Sequence, residues 1–491
     1  MADGNAAPRF AVREIELYER PVVLRIPFRF GVVTLTHCPQ AFVRARIERP
    51  DGSGAWGAAA EMLAPKWFDK NLALSNEDNF AQLRDVLRMT RAAYLGDPTP
   101  ATAFGHFARH YDAHLAAARA KDYNPLLANY GPALVDRAIL DALCRALGVS
   151  FYTGMRSNAA GIDAGHGGAA AGIRTVANGG GLQRPEFAGF DFDAFLAARH
   201  PAAAIAARHT VGLLDAITAA DLAHPVGDGL PETLEQIVAT YGQRYFKLKV
   251  GGNVDADLAR LEAIASVLDR ATAPYFTTLD GNEQYADAAG VAALVAGIRA
   301  RPRLARLWQS VLFIEQPIAR HAALDVDIAL ADLGKPVIID ESDGELDAFV
   351  RAAARGYRGV SSKTCKGLYK SVLNAARCVA WNAREPGTAF FMSGEDLTTQ
   401  PGLALQQDLA LVALLGIVHV ERNGHHYVDG MAALPRSEQD AFLAAHPDLY
   451  EQSHGAARLT IRDGRIAIGS LDCIGYASAA MPDFQSMSRM A

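Results

Sequence analysis

Three acidic residues close three successive short apolar runs: Asp280 in Thr278-Leu279-Asp280-Gly281-Asn282, Glu315 in Phe313-Ile314-Glu315-Gln316-Pro317, and Asp340 in Ile338-Ile339-Asp340-Glu341-Ser342. Carboxylates brought to one place repel each other unless a cation sits among them. Hard oxygen donors with room left for water and substrate suit Mg²⁺ better than zinc. Any one of these acids could instead cap a helix that follows its strand, but the agreement of three consecutive runs favours a shared site. Lys247 and Lys249, in Phe246-Lys247-Leu248-Lys249-Val250, have the period-two spacing that points both side chains to one face of a strand. Facing inward they need an anionic partner, and the alternative is a snorkelling pair on a strand edge. Lys363, in Ser361-Ser362-Lys363-Thr364-Cys365-Lys366-Gly367, ends another apolar run, whereas Lys366 and Lys370 read as surface residues at a helix start.

The elements that must position these side chains alternate. From about residue 208, strand-like runs are expected at His209-Leu214, Tyr245-Val250, Tyr275-Asp280, Val311-Glu315, Pro336-Asp340, Arg358-Lys363, Thr388-Ser393 and Ile417-Glu421. Helical patterns lie between them, as in Val254-Arg270, where Val254, Leu258, Leu261, Ile264, Val267 and Leu268 form one stripe. Alternation of this kind signals a parallel sheet, and eight strands are the number that closes a barrel. In such a barrel the carboxyl ends of the strands meet on one face, so Asp280, Glu315 and Asp340 would converge. Lys363 on the sixth strand would face the second-strand lysines across the mouth, placing lysines on two sides of one bound molecule.

The fold expected is therefore α/β, a (β/α)₈ TIM-like barrel over 208–430 with an N-terminal α+β capping domain over 1–150. In that domain Val12-Leu24 and Ala41-Glu48 read as strands, and Val135-Leu147 as a helix closed by Gly148. Residues 151–207 form a Gly/Ala-rich insertion or connector. Its Gly165-His166-Gly167-Gly168 and Gly179-Gly180-Gly181 lack the spacing of a phosphate-binding loop, which favours a connector or active-site flap. Residues 431–491 are expected to return to the capping domain through a hairpin around Asp463-Gly464, with Ala477-Ala491 as a mobile tail.

Bulk properties narrow the function. The 491 residues are 50% hydrophobic and 21% charged, enough for a large core, and the net charge of −6 gives no basic footprint for nucleic acid. No apolar run approaches the roughly 18 residues of a membrane helix, and the start of the chain does not resemble a signal peptide. The five cysteines, Cys38, Cys144, Cys365, Cys378 and Cys473, are scattered without a C-x-x-C pair. A reducing cytoplasm fits them best.

The K-x-K of the second strand, L-D-G-N, F-I-E-Q-P, I-D-E-S and S-K-T-C-K-G resemble, in order, the motif series of the enolase superfamily. Within it they are closest to the mandelate racemase/muconate lactonizing enzyme family, in its muconate-lactonizing-enzyme-like branch. No His-Asp pair stands at the sixth and seventh strands, where the mandelate-racemase branch has one. The resemblance implies Asp280, Glu315 and Asp340 as Mg²⁺ ligands and Asn282 as their support, with Lys249 as one base and Lys363 as the opposing acid/base. Lys247 would hold the substrate carboxylate and lower its neighbour's pKa by like-charge repulsion. In Phe391-Met392-Ser393-Gly394-Glu395-Asp396, Glu395 or Asp396 would contact a base or substrate. The loops around Phe28-Thr36 and Leu63-Phe68 would cover the mouth, although Phe30, Trp67 and Phe68 could equally be core. A homo-oligomer is implied as well.

The activity implied is removal of the proton α to the carboxylate of a small-molecule substrate through a stabilised enediolate. That step can end in racemisation, epimerisation or cycloisomerisation. A carboxylate dehydratase acting on acid sugars, and a non-catalytic binding protein on the same scaffold, are the alternatives. His419, His425 and His426 gather near the eighth strand without the spacing of a zinc motif, so a loop or pocket-rim role is expected over a zinc hydrolase.

Overall fold

The computed structural model describes residues 7–31, 33–163, 174–175, 182–397 and 399–490. The glycine clusters at 165–168 and 179–181 lie outside the described residues. Eight parallel strands, Ala204–Val211, Tyr245–Lys249, Phe276–Asp280, Val311–Glu315, Val337–Ile339, Gly359–Ser362, Phe391–Gly394 and His419–Arg422, pair in chain order, and the eighth closes on the first. Helices follow them on the outside, among them Val254–Leu268, Ala288–Arg299, Leu368–Arg384 and Leu403–Leu414. Along the second strand Phe246 and Leu248 pack outward into the apolar layer beneath the helices, leaving Lys247 and Lys249 to the barrel interior.

The first strand begins at Ala204 rather than His209. Its start, Ala204-Ile205-Ala206-Ala207, is alanine-rich and carries little β-propensity. What holds it in the sheet is tertiary: the eighth strand on one side and, on the other, an antiparallel strand, Arg465–Ala467, that sets Ile466 opposite Ile205.

That added strand corrects the expected end of the chain. The turn at Asp463 and Gly464 is present, with both residues at positive φ (51° and 69°). The strand after it joins the barrel, while Ala456–Leu459 before it pairs with Tyr450–Ser453. The final segment is not a tail. Ser488 and Arg489 pair with Glu19 and Tyr18, adding a short edge to the N-terminal sheet.

That sheet orders Ser488–Arg489, Ala11–Arg20, Gln40–Glu48 and Gly54–Met62, all antiparallel, with a separate hairpin of Val23–Phe30 and Val33–His37. The helices Asn76–Gly96, Ala103–Arg119 and Tyr130–Leu147 pack with it, and Gly148 ends the last of them at φ 67°. Small residues let that helix approach the sheet closely. A Cβ on Gly57 would lie 2.1 Å from the Ala142 nitrogen and 2.3 Å from the Ala138 oxygen. A fork-to-fork pair, Arg20 with Glu438 at 3.0 and 2.8 Å, ties this sheet to the C-terminal region.

Candidate active site

The register of the strands sets the site. Asp280 stands opposite Lys249 on one side and Glu315 on the other, each at its strand's carboxyl end. Asp340 directly follows the fifth strand, and its backbone N–H donates to Gln316 Oε1 at 2.8 Å. None of the three acids caps a helix. All three are fully buried.

Lys247 lies at the centre. Its Nζ is 2.9 Å from Asp280, 2.9 Å from Glu315, 2.7 Å from Glu395 and 3.1 Å from Glu421. Lys249 donates to Asp280 at 2.5 Å, and across the mouth Lys363 donates to Asp340 at 2.6 Å, with its Nζ 4.3 Å from the centre of the Trp67 ring. Burial works to lower the pKa of Lys247 and of Lys363. The surrounding carboxylates outweigh it, so both are held above the ordinary lysine value rather than drawn toward neutrality. The same charges act in reverse on the acids. Burial would push Asp280 and Asp340 up, yet the lysines beside them hold both down. Glu315 goes the other way, driven well up by burial and by the charges of Asp280 and Glu395.

Asn282 donates from its backbone to Asp280 at 2.9 Å and from Nδ2 to Glu341 at 3.1 Å, so it braces the end of the third strand against the segment that follows the fifth. Glu395 takes Lys247, Arg208 and Ser393. Asp396 is bound by Thr399 and by the backbone N–H of Asn423 at 2.8 Å. The structure therefore brings Lys247, Lys249, Lys363, Asp280, Glu315, Asp340, Asn282, Glu395 and Asp396 to one end of the barrel, where Glu395 meets a lysine and Asp396 lines the pocket wall.

Several participants were not anticipated. Lys366 and Lys370 are buried, not surface residues. Lys366 Nζ reaches Asp340 and Asp343 at 3.3 Å each and Ser361 at 2.7 Å, and Lys370 pairs with Asp343. Lysine next to glycine at a helix start ordinarily faces water, but here the helix start lies against the acid-rich mouth. Glu421, on the eighth strand, accepts from Thr210 and Asn423 as well as from Lys247. Its place at a strand's carboxyl end, the same as that of Asp280 and Glu315, was the available signal. Arg208 and Thr210 share the inward face of the first strand by the same period-two rule that revealed the lysines.

The cap closes over this floor. Phe28, Phe30, Leu35, Ala64 and Trp67 share one pocket with Lys247, Lys249 and Lys363, while Phe68 packs against Tyr130. Of the aromatic residues left between two roles, Phe30 and Trp67 therefore line the pocket. Arg320 fastens the loop by donating to the carbonyls of Trp67 (2.7 Å) and Phe68 (2.9 Å), and Lys70 reaches Glu283 at 2.5 Å. About 30 Å³ of free space is left inside, room for a water or two.

As the side chains stand, no three His, Cys, Asp or Glu residues among those described are placed to hold a metal ion, because ammonium groups lie between the acids. The donors nonetheless fit Mg²⁺. They are all carboxylate oxygens, Glu315 Oε2 is buried with no hydrogen-bond partner, and Glu315 is pushed up by burial and by the negative charge around it. The histidines offer no rival site. His419 accepts from Arg208 and stacks on Tyr245, while His425 and His426 pack against His209. Burial lowers all four, His419, His425 and His426 to about 3 and His209 well below its usual value, so their rings are neutral.

A closed eight-stranded barrel under a strand-rich cap, with acids at successive strand ends, defines a class that the comparisons also reach. Residues 229–472 match the family described as enolase C-terminal domain-like, and the chain belongs to the enolase superfamily, in its mandelate racemase/muconate lactonizing enzyme family. No curated protein matches it significantly. Among solved structures it is similar to muconate lactonizing enzyme from Pseudomonas fluorescens complexed with muconolactone, at 17% identity and TM-score 0.57, covering 98% of each chain. It is also similar to a dipeptide epimerase from Enterococcus faecalis complexed with Mg and L-Leu-L-Tyr, at 13% identity and TM-score 0.58, covering 95% of this chain and 99% of that one. An enolase superfamily member from Roseovarius nubinhibens complexed with magnesium gives 15% identity and TM-score 0.56, with 98% of each chain covered. Among the described residues no helix is long and apolar enough to cross a membrane.

Proposed function

We propose that this protein is a Mg²⁺-dependent isomerase that removes the proton α to a substrate carboxylate and either returns it, giving racemisation or epimerisation, or lets the intermediate cycloisomerise. The observation that carries the reading is that Lys249, from the second strand, and Lys363, from the sixth, open into the same pocket. A proton taken on one side of the α carbon can then be replaced from the other.

Each residue has a part that its surroundings support. Lys249 serves as one base. Lys363, held in its ammonium form beside Asp340, is set to deliver a proton and must be freed from that acid to accept one. Lys247 holds the substrate carboxylate, and Glu395 fixes Lys247 from behind while Asp396 lines the wall. Asp280, Glu315 and Asp340 would hold Mg²⁺, with Asn282 keeping Asp280 in place. The bound ion supplies positive charge at the carboxylate oxygens, where loss of the α proton places a second negative charge.

The test is α-proton exchange in D₂O followed by NMR, with Mg²⁺, on dipeptides, N-acyl amino acids, hydroxy acids, sugar acids and muconate-like lactones. Exchange that needs Mg²⁺ and is lost in Lys249→Ala or Lys363→Ala is the expected result. Exchange that persists in both variants would overturn the assignment of the bases.

A further inference from the structure

Floor and roof of the pocket differ in chemistry. The barrel provides the floor, with three lysines and the acids that engage them. The cap provides the roof with Phe28, Phe30, Leu35, Ala64 and Trp67, apolar throughout except for the indole Nε1–H of Trp67, which is buried without a hydrogen-bond partner, and extended on the barrel side by Leu397. The hairpin builds this by alternation. Phe28 stands opposite Leu35, and Phe28 and Phe30 face inward while Arg29 between them lies on the other face. Among the described lining residues the only cations are Lys247, Lys249 and Lys363, all on the floor. Near them the Oδ1 atoms of Asn282 and Asn423 are buried without a hydrogen-bond partner, two acceptors that an N–H or O–H close to the α carbon could meet.

The roof therefore discriminates by what it lacks. A second carboxylate, or a chain of hydroxyls, would lose its water there and find no charge and, beyond the single indole N–H of Trp67, no donor on the roof side chains to replace it. A phenyl or branched alkyl group would gain by the same loss of water.

We infer that the site selects monocarboxylic acids whose remote end is apolar and uncharged, and disfavours dicarboxylates and polyhydroxy acids. The inference rests on the reading above that the floor lysines receive the substrate's carboxylate. It needs no chemistry, so it is tested by binding: 3-phenylpropionate, adipate and gluconate titrated calorimetrically into the full-length protein with Mg²⁺. The expected result is that 3-phenylpropionate binds at least about tenfold tighter than either of the others, in line with burial of one ring. Phe30→Arg, and the milder Leu397→Arg on the partly exposed rim, should each narrow that ratio by strengthening adipate. Equal or tighter binding of adipate or gluconate by the wild type overturns the inference, and so does absence of binding by all three acids. The two proposals fail separately. The expected binding order with no α-proton exchange on any acid would remove the isomerase and leave the selectivity, whereas exchange that favours dicarboxylates would do the reverse.

Discussion

Two polar clusters of the barrel, one fully buried and one buried except for the partly exposed His425, resolve their burial in opposite ways. At the mouth, Lys247 keeps its charge by pairing with four carboxylates, and it in turn helps hold Asp280 and Glu421 below their ordinary range. At the flank, His209, His425 and His426 avoid charge altogether, with their Nδ1 atoms unpartnered and their rings packed edge to face or tilted. Both arrangements satisfy the rule that an isolated buried charge is prohibitively unfavourable. Only the first keeps charges that a bound anion and a cation could exchange for new partners. The imidazole cluster is packing material that happens to be titratable.

Breaking the charged cluster at its bases should have the largest effect. Lys249→Ala and Lys363→Ala are expected to lower α-proton exchange by about 10²–10⁴-fold, the usual contribution of a positioned acid or base. His425→Gln and His426→Gln should leave the exchange rate within about threefold, since neither imidazole lines the lysine pocket. A histidine variant as inactive as the lysine variants would erase the distinction between the clusters.

Stability separates them next. Lys247→Met leaves Asp280, Glu315, Glu395 and Glu421 without their common partner, and a broken buried ion pair costs about 3–5 kcal/mol. Urea denaturation of the metal-free protein would show it, and a loss no greater than that of His426→Gln would contradict the central role of Lys247. A smaller effect concerns the metal. Free Mg²⁺ at a hundred times its dissociation constant should stabilise the wild type by about 2.7 kcal/mol. Glu315→Gln, which removes a carboxylate already crowded by its neighbours, should abolish that gain while making the metal-free protein no less stable. A full Mg²⁺ response in this variant would exclude Glu315 as a ligand.

Much of the charged cluster was legible because strand geometry converts spacing into direction. Acids at strand ends and lysines two apart have one place to go once eight strands close. The same logic extends to Glu421, Arg208 and Thr210, which were missed because a single acid or a lone arginine on an alanine-rich strand carries no repeated pattern. Lys366 and Lys370 were misread for a different reason: whether a lysine at a helix start meets water or acid depends on what the barrel brings opposite it. The added strand Arg465–Ala467 and the pairing of Ser488 and Arg489 are likewise tertiary choices, settled by Ile205 and by an open sheet edge far along the chain. The roof of the pocket was half legible, since apolar loop residues read as core or as lining until their neighbours are known.

The histidine cluster gives the last and smallest test, through pH. Burial, helped by nearby Arg422 and Arg25, pushes His425 and His426 down to about 3, whereas in the unfolded chain they titrate near about 6.5. Between those values the unfolded state binds more protons, so the folded state has its full advantage above about pH 6.5 and loses it as the pH falls toward 3. Each histidine contributes a slope of up to about 1.4 kcal/mol per pH unit within that window. Glu61 and Asp136, raised by burial to about 7 and about 8, act in the opposite sense over part of the range. The informative quantity is therefore the difference between wild type and the His425→Gln/His426→Gln double variant, measured as unfolding free energy from pH 7.5 to 5. The variant should lose less stability on acidification than the wild type. Parallel curves would mean that these imidazoles titrate alike in both states, and the cluster would then be charged or solvated rather than buried and neutral.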